Sequence, residues 1–287
     1  MREDNKVIKG LWIGNELSPN EILSINSYLH HNHVFELYVY DRIKNVPDRV
    51  VIKDAEQIVP RAEIFSYTGG HHKKSYSMFS DYFRYKLLFE LGGWWSDVDA
   101  VCLKPYDLNQ DYVFAQEKRK KADDHVWGGV LKTPAGAPIM KHCYEITREM
   151  RANIEDHPWA STGPTLLGKA VDEFKLHEYI VPTRYFSPIG HFEISKLFTP
   201  LKVEQDSFSI HLYNEVWSMH DFSKYGVYPK KSLFESLKKQ FSVRNNYLKL
   251  IPEFVSDVKN HGLKKGSKMI YGKLVHMRRS FLEFDVT

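Results

Sequence analysis

Residues 79–105 read FSDYFRYKLLFELGGWWSDVDAVCLKP, and the class of fold follows from them. Phe79, Phe83 and Leu87 recur four residues apart, which is the period of a helix with one apolar stripe. Asp81, Arg84, Leu88 and Leu91 make a neighbouring stripe, so an acid and a base share a face. The spacing predicts a helix over residues 75–91, stopped by Gly92-Gly93, where glycine accepts a left-handed backbone. Trp94 to Leu103 then reads as a strand, ended by Lys104-Pro105. It carries Asp97 and Asp99, and strand side chains at i and i+2 point to the same side. Carboxylates so placed suit a hard divalent cation, Mg²⁺ or Mn²⁺, which can hold a diphosphate opposite them.

The flanking sequence supplies the rest of a sheet. Val7 to Ile13 is apolar enough for a buried first strand. Ser18-Pro19-Asn20-Glu21 offers an N-cap, a proline at the first helical position and a capping-box glutamate, so a helix should run to about His30. His33–Tyr40 reads as a second strand and Ala62–Tyr67 as a third. Further strands are expected at Tyr112–Gln116, Val126–Lys132, Tyr179–Pro182 and Ser207–Tyr213, with helices at Gly136–Arg151 and Leu166–Phe174. Strands alternating with helices imply an α/β fold, an open and mostly parallel sheet flanked by helices.

Composition bounds the function. The 287 residues are 43% hydrophobic and 26% charged, enough for a sizeable core. No apolar run reaches membrane-spanning length, and MREDNKVIKGLWIG is too acidic and too briefly apolar for a secretory signal. Two cysteines, Cys102 and Cys143, make no disulfide framework, and no Asn-x-Ser/Thr sequon occurs. A cytoplasmic location is the expectation. The net charge of +4 is uneven: residues 230–287 hold 13 Lys and Arg against 5 Asp and Glu, and residues 1–229 hold 27 against 31. That divides the chain into a catalytic body, 1–229, and a basic, helical C-terminal extension, 230–287. An acidic body argues against nucleic acid. The tail, with Lys264-Lys265 and Arg278-Arg279 among apolar residues, fits peripheral contact with the inner face of a plasma membrane, or a solvated basic helix.

Several polar pieces compete for a role. Asp81 and Arg84 are either a surface ion pair or a sugar acceptor beside a forked phosphate donor. Ser161-Thr162-Gly163-Pro164, before a helix, is either a plain cap or a polar loop at a sugar or phosphate. His211 or Asn214, at the end of a strand, could complete a cation's coordination, although a lone histidine is more often structural. His30-His31-Asn32-His33 and His71-His72 lack the spacing and cysteine partners of structural zinc sites. No GxGxxG, Walker A or Gly-x-Ser-x-Gly pattern is present.

Ser80-Asp81, Arg84, Leu88, Gly92-Gly93, Trp95, Asp97 and Asp99 together resemble the block S-D-x-x-R-x-x-x-L-x-x-x-G-G-x-[YW]-x-D-x-D. This is the block of DXD-motif glycosyltransferases, grouped with glycosyltransferase family 32 and the capsular polysaccharide synthesis transferases, and similar to the large clostridial glucosylating toxins. Leu11 to Gly14, Ser161 to Pro164 and His211 to Trp217 extend the likeness more weakly. The resemblance implies a GT-A fold, a nucleotide-diphosphate sugar donor (UDP-linked by preference) and transfer of a hexosyl unit with retention to a glycan or lipid-linked glycan, as in polysaccharide or capsule biosynthesis. It implies Trp12 against the base, Asp81 and Arg84 on sugar and diphosphate, and Trp95 beside the cofactor. Asp97 would reach the ribose and the metal's water shell, Asp99 the metal itself, and His211 or Asn214 would lie near it. Trp95 departs from the tyrosine common in relatives and lacks its phenolic hydroxyl. The alternatives are a haloacid-dehalogenase-like phosphatase using Asp97 and Asp99, or a non-catalytic carbohydrate-binding protein.

Overall fold

The computed structural model describes residues 2–69, 74–120, 125–219 and 222–244. His71-His72, Asp123-Asp124 and the tail beyond Arg244 lie outside the described residues. Six strands form the central sheet: β1 (Val7–Trp12), β2 (Val34–Val39), β3 (Val51–Asp54), β4 (Gly93–Ser96), β6 (Val113–Glu117) and β7 (His125–Thr133), in the spatial order β3-β2-β1-β4-β7-β6. The first four run parallel, β7 runs against them, and β6 pairs antiparallel with β7 and so points with the first four. The expected mixed α/β fold with a mostly parallel sheet is what the chain adopts.

Residue alternation explains why the sheet is buried on both sides. Phe35, Leu37, Val39 and Trp94 face one layer, packed with Ile25, Tyr28 and Leu29 of α1 (Pro19–His30). Leu11, Tyr38 and Trp95 face the other, with Phe79, Phe83 and Leu87 of α2 (Ser77–Leu91). Helices α3 (Pro138–Met150) and α4 (Leu166–Glu173) complete that second layer. The capping box forms as the sequence implies, Ser18 N–H donating to Glu21 Oε2 at 2.5 Å and Ser18 Oγ accepting from Asn20 N–H at 3.3 Å. Glu21 is wholly buried, and its Oε1 reaches the Asn214 side chain at 2.6 Å.

Three expectations fail, each for a physical reason. The third strand is Val51–Asp54, not Ala62–Tyr67; after Pro60 the chain makes a 3-10 turn, Arg61–Glu63. The apolar residues there, Ile64 and Phe65, cover α2, with Phe65 edge-on to Phe79 at 5.5 Å. Tyr179–Pro182 is no strand and touches β6 through a single bridge, Phe114 to Ile180. Trp94–Leu103 is not one strand: β4 stops at Ser96, and β5 (Ala100–Cys102) pairs antiparallel with β8 (Ser209–His211) in a second small sheet.

That second sheet lies over a third cluster containing Val101, Ile210, Leu212, Trp217, Leu233, Phe234 and Leu237. The last three belong to α7 (Leu233–Gln240), capped by Ser232, so the first helix after Lys230 packs into the body. Two short helices, α5 (Thr183–Phe186) and α6 (Asn214–Met219), flank β8 in sequence.

Gly92 is the joint between α2 and β4. Its φ of +61° and ψ of −163° are open to glycine alone, and a Cβ there would run into the Ala135 backbone. Gly92→Ala should destabilise the fold by about 2 kcal/mol or more, read as a lower urea midpoint at unchanged slope.

Candidate active site

Asp97 and Asp99 sit in the turn where the chain leaves the central sheet for the second one, at the carboxyl edge of the parallel strands. Open α/β sheets bind their ligands at such an edge. The turn is fixed by backbone bonds: Asp97 N–H donates to Gly129 O at 2.7 Å, Ala100 N–H to Asp97 O at 3.1 Å and Leu212 N–H to Asp99 O at 2.9 Å. The carboxylates converge through this turn, not through strand alternation.

His211, closing β8, completes a triad. One ligand atom each from Asp97, Asp99 and His211 falls within 4.8 Å of the others, and Asp99 Oδ1 is 3.2 Å from His211 Nε2. Among the described residues this is the set that could hold a metal ion. Asp99 Oδ2 accepts from the backbone N–H of Asn214 at 2.9 Å. The Asn214 side chain is used elsewhere, donating to Glu21 and accepting from Asn20 Nδ2 at 2.8 Å. Asn214 therefore serves the site through its main chain, not as the side-chain ligand its position suggested. Burial opposes ionisation of Asp99, but His211 outweighs it and holds Asp99 below its ordinary value. Burial likewise opposes charge on His211, which Asp99 and Glu117 overcome, raising its pKa. Two carboxylate oxygens and one imidazole nitrogen, mostly buried, are a donor set that suits Mn²⁺ or Mg²⁺.

Arg84 binds the helix to this turn. Its Nη1 is 3.1 Å from Asp81 Oδ1 and its Nη2 is 2.9 Å from Asp97 Oδ1, with 5% of the side chain exposed. The guanidinium lies over the Trp95 ring, 5.2 Å from its centroid. A Cβ on Gly128 would collide with it, so β7 needs glycine there. Trp95 is buried and offers no face to a ligand; its indole N–H donates to Asp97 Oδ1 at 2.8 Å. Trp95 thus supports the site from beneath, and the indole provides a donor where a phenol is lacking. With Oδ1 of Asp97 taken by Arg84 and Trp95, Oδ2 is the atom for an ion. Burial and the neighbouring Asp99 push the Asp97 pKa up against the pull of Arg84.

Asp81 completes this half. Its Oδ2 accepts from Thr162 Oγ1 at 2.9 Å, and Thr162 O accepts from Tyr85 Oη at 2.7 Å. The Ser161–Pro164 loop is therefore part of the site, docked on the helix that carries Asp81. Burial raises the Asp81 pKa to about 6, against the pull of Arg84. Trp12 ends β1 at the same edge, half-buried, its indole N–H donating to Glu16 O at 3.2 Å.

Sequence reasoning missed Glu117 and the groups around it. Glu117 ends β6, nearly buried, with Oε1 3.3 Å from His191 Nδ1 and Oε2 3.9 Å from His125 Nε2. Trp127, two residues along β7 from His125, packs against His211 with ring centroids 4.3 Å apart. In sequence Glu117 opens a charged run, Glu117-Lys118-Arg119-Lys120, and nothing there separates it from a solvated loop. Of the histidines at and after the end of α1, His33 is buried and accepts from Tyr106 N–H at 3.1 Å, and His30 and His31 pack edge-on to Phe241.

Residues 18–119 match the family described as the glycosyltransferase sugar-binding region containing a DXD motif. That segment, about a third of the chain, is similar to the DXD-motif sugar-binding region of glycosyltransferases. The matched residues hold the α2 helix, the Gly-Gly joint and the DXD pair, and they stop before His211. Among solved structures, the PaToxG glycosyltransferase is similar at 15% identity and a TM-score of 0.44, over 59% of this chain and 69% of that one. A cysteine-to-serine double mutant of a transferase is similar at 10% identity and a TM-score of 0.38, over 60% of this chain and 85% of that one. A search of curated proteins finds no match to this chain.

The Asp81 environment gives the enzyme a testable pH signature. An ionised Asp81 can accept a hydrogen bond from a sugar hydroxyl, and a protonated one weakens its pair with Arg84. The acid limb of kcat/KM is expected near pH 6 rather than near 4. The stability sign is opposite. A folded-state pKa raised from 3.8 favours the protonated form, so stability from this group falls as pH rises through about 6. A limb at pH 4 with flat stability would contradict both.

Proposed function

We propose that the enzyme transfers a hexosyl unit from a nucleotide-diphosphate sugar, UDP-linked by preference, to a glycan acceptor, with a divalent cation and retention of configuration. The observation that carries this reading is the triad of Asp97, Asp99 and His211, with Arg84 bridging Asp97 to Asp81. A cation bound by Asp97 Oδ2, Asp99 and His211 would supply positive charge to the departing diphosphate. Arg84 keeps Asp97 in place and offsets its charge. Asp81, steadied by Thr162, accepts hydrogen bonds from the donor sugar and orients it. Trp12, at the β1 end of the edge, offers an aromatic face to the base. Transfer then proceeds by front-face attack, the leaving phosphate taking the acceptor's proton as the sugar becomes oxocarbenium-like.

The phosphatase alternative is disfavoured because Asp97 also bonds Arg84 and Trp95, an arrangement that stabilises a carboxylate rather than freeing a nucleophile. A purely binding protein has no need of a buried anion pair beside an imidazole. The test is hydrolysis and transfer from UDP-glucose, UDP-galactose, UDP-N-acetylglucosamine and GDP-mannose, with Mn²⁺ or Mg²⁺ and with chelator. NMR of the product's anomeric proton reads the stereochemistry. Release of phosphate from simple phosphomonoesters, without nucleotide-sugar turnover, would overturn the reading. The basic composition after Lys230 supports an acceptor held at an anionic cytoplasmic membrane face. Vesicle co-sedimentation that ignores anionic lipid content would remove that part. Among the described residues no helix is long and apolar enough to cross a membrane.

A further inference from the structure

We infer that Glu117, His191 and Phe192 form the acceptor subsite, which receives the hydroxyl-bearing face of a hexose. The inference rests on the transferase reading above and adds where the second substrate sits. Strand order supplies the direction. Along the carboxyl edge, Trp12 ends β1, Asp97 follows the neighbouring β4, and Glu117 ends β6, two strands further on. Two strand spacings are roughly 10 Å. A donor with its base at Trp12 and its diphosphate at the DXD turn therefore directs its sugar, and whatever attacks it, toward β6.

The groups at that end suit a sugar. Glu117 is an anion held from two sides, by His191 at 3.3 Å and His125 at 3.9 Å. The His125 Nε2 is buried and faces the Glu117 carboxylate, so it helps fix that acceptor in place. His191 is 47% exposed, and Phe192, edge-on to it at 5.4 Å, is 38% exposed. An open aromatic beside a fixed carboxylate and imidazoles gives one apolar face for a pyranose ring and acceptors and donors for its hydroxyls. Tyr213 links this subsite to the metal triad: His211 packs against Trp127 at 4.3 Å and Tyr213 at 4.0 Å, and Tyr213 lies 6.2 Å from His191. Burial opposes the charge on Glu117, but His125 and His191 outweigh it and hold the pKa at about 2. Glu117 is thus a permanent hydrogen-bond acceptor, ill suited to take a proton as a base.

The experiment is saturation-transfer NMR on the full chain with UDP and Mg²⁺, using methyl α-glucoside, methyl α-galactoside and methyl α-mannoside as probes. Wild type should give ring-proton signals for at least one hexoside. Glu117→Gln and Phe192→Ala should each weaken that signal roughly tenfold, and Phe192→Ala should leave hydrolysis of the donor to water within about twofold. Phe192 is a surface residue, so its variant remains informative if Glu117→Gln fails to fold. Signals unchanged in both variants overturn the inference, as does the lack of any signal in a protein that hydrolyses donor. A wild type that hydrolyses no nucleotide sugar defeats instead the transferase reading beneath it.

Discussion

Asp99→Ala is expected to lower nucleotide-sugar turnover on the order of a thousandfold and to remove tight Mn²⁺ binding. Asp99 is the member of the triad with no other protein cation to serve: Oδ1 faces His211 at 3.2 Å and Oδ2 accepts only a main-chain N–H, from Asn214. Asp97, by contrast, also answers to Arg84 and Trp95, so its replacement perturbs the helix as well as the ion. The alanine at 99 removes one ligand and leaves His211 without the carboxylate that orients it. Turnover in stopped assays and Mn²⁺ binding by electron paramagnetic resonance should fall together. The fold should persist, because the backbone bonds from Leu212 to Asp99 O and from Ala100 to Asp97 O do not involve the side chain. A loss of under tenfold, or Mn²⁺ binding that survives, would place the ion elsewhere.

His211 offers a finer contrast within the same triad. It reaches Asp99 from the second sheet, so the site exists only when β8 pairs with β5 in register, Ala100 opposite His211. That register is set by apolar residues in contact with α7 and α6, including Val101, Ile210, Leu212 and Trp217. The candidate metal site is thereby tied to packing well beyond the segment matched to the family.

Much of this was legible from the chain because it is local. The Phe79, Phe83 and Leu87 stripe, the Gly92-Gly93 joint and the Ser18 capping box are written within a few residues each, and propensity and periodicity act at that range. What escaped is non-local. Asp97 and Asp99 were readable as a pair, but not that they occupy a turn, because the hydrophobic Ala100-Val101-Cys102 run looks like a continuation of β4. It is instead a strand of another sheet, whose partner lies more than a hundred residues later. Glu117 escaped for the same reason: its partners, His125 and His191, come from a strand across a loop and from a distant 3-10 segment. The short β3, with Val51 and Ile52 exposed on an edge, has little apolar pattern to announce it.

Arg84→Met should destabilise the protein by about 3–5 kcal/mol and inactivate it, the two effects separable by pH. Arg84 is the cation between two nearly dry carboxylates, at 3.1 Å from Asp81 and 2.9 Å from Asp97. Methionine keeps most of the volume over Trp95 and removes the charge, so Asp81 and Asp97 then face each other uncompensated. They respond by holding protons. Asp81 already sits at about 6 with Arg84 pulling it down, and without that pull it should titrate higher still. The variant's stability deficit should therefore shrink as pH falls toward 5, where more of both carboxyls is protonated, and grow toward pH 8. Urea midpoints at both values measure this, with wild type as control. Activity follows the other course: Asp97 neutralised at low pH is a poor ligand, so acid rescues the fold without rescuing turnover. Arg84→Lys keeps the charge but cannot span both carboxylates with two nitrogens, so it should regain most of the stability and little of the rate. Equal loss of stability at pH 5 and pH 8 would mean that Arg84 is held by packing on Trp95 and Gly128, not by its charges.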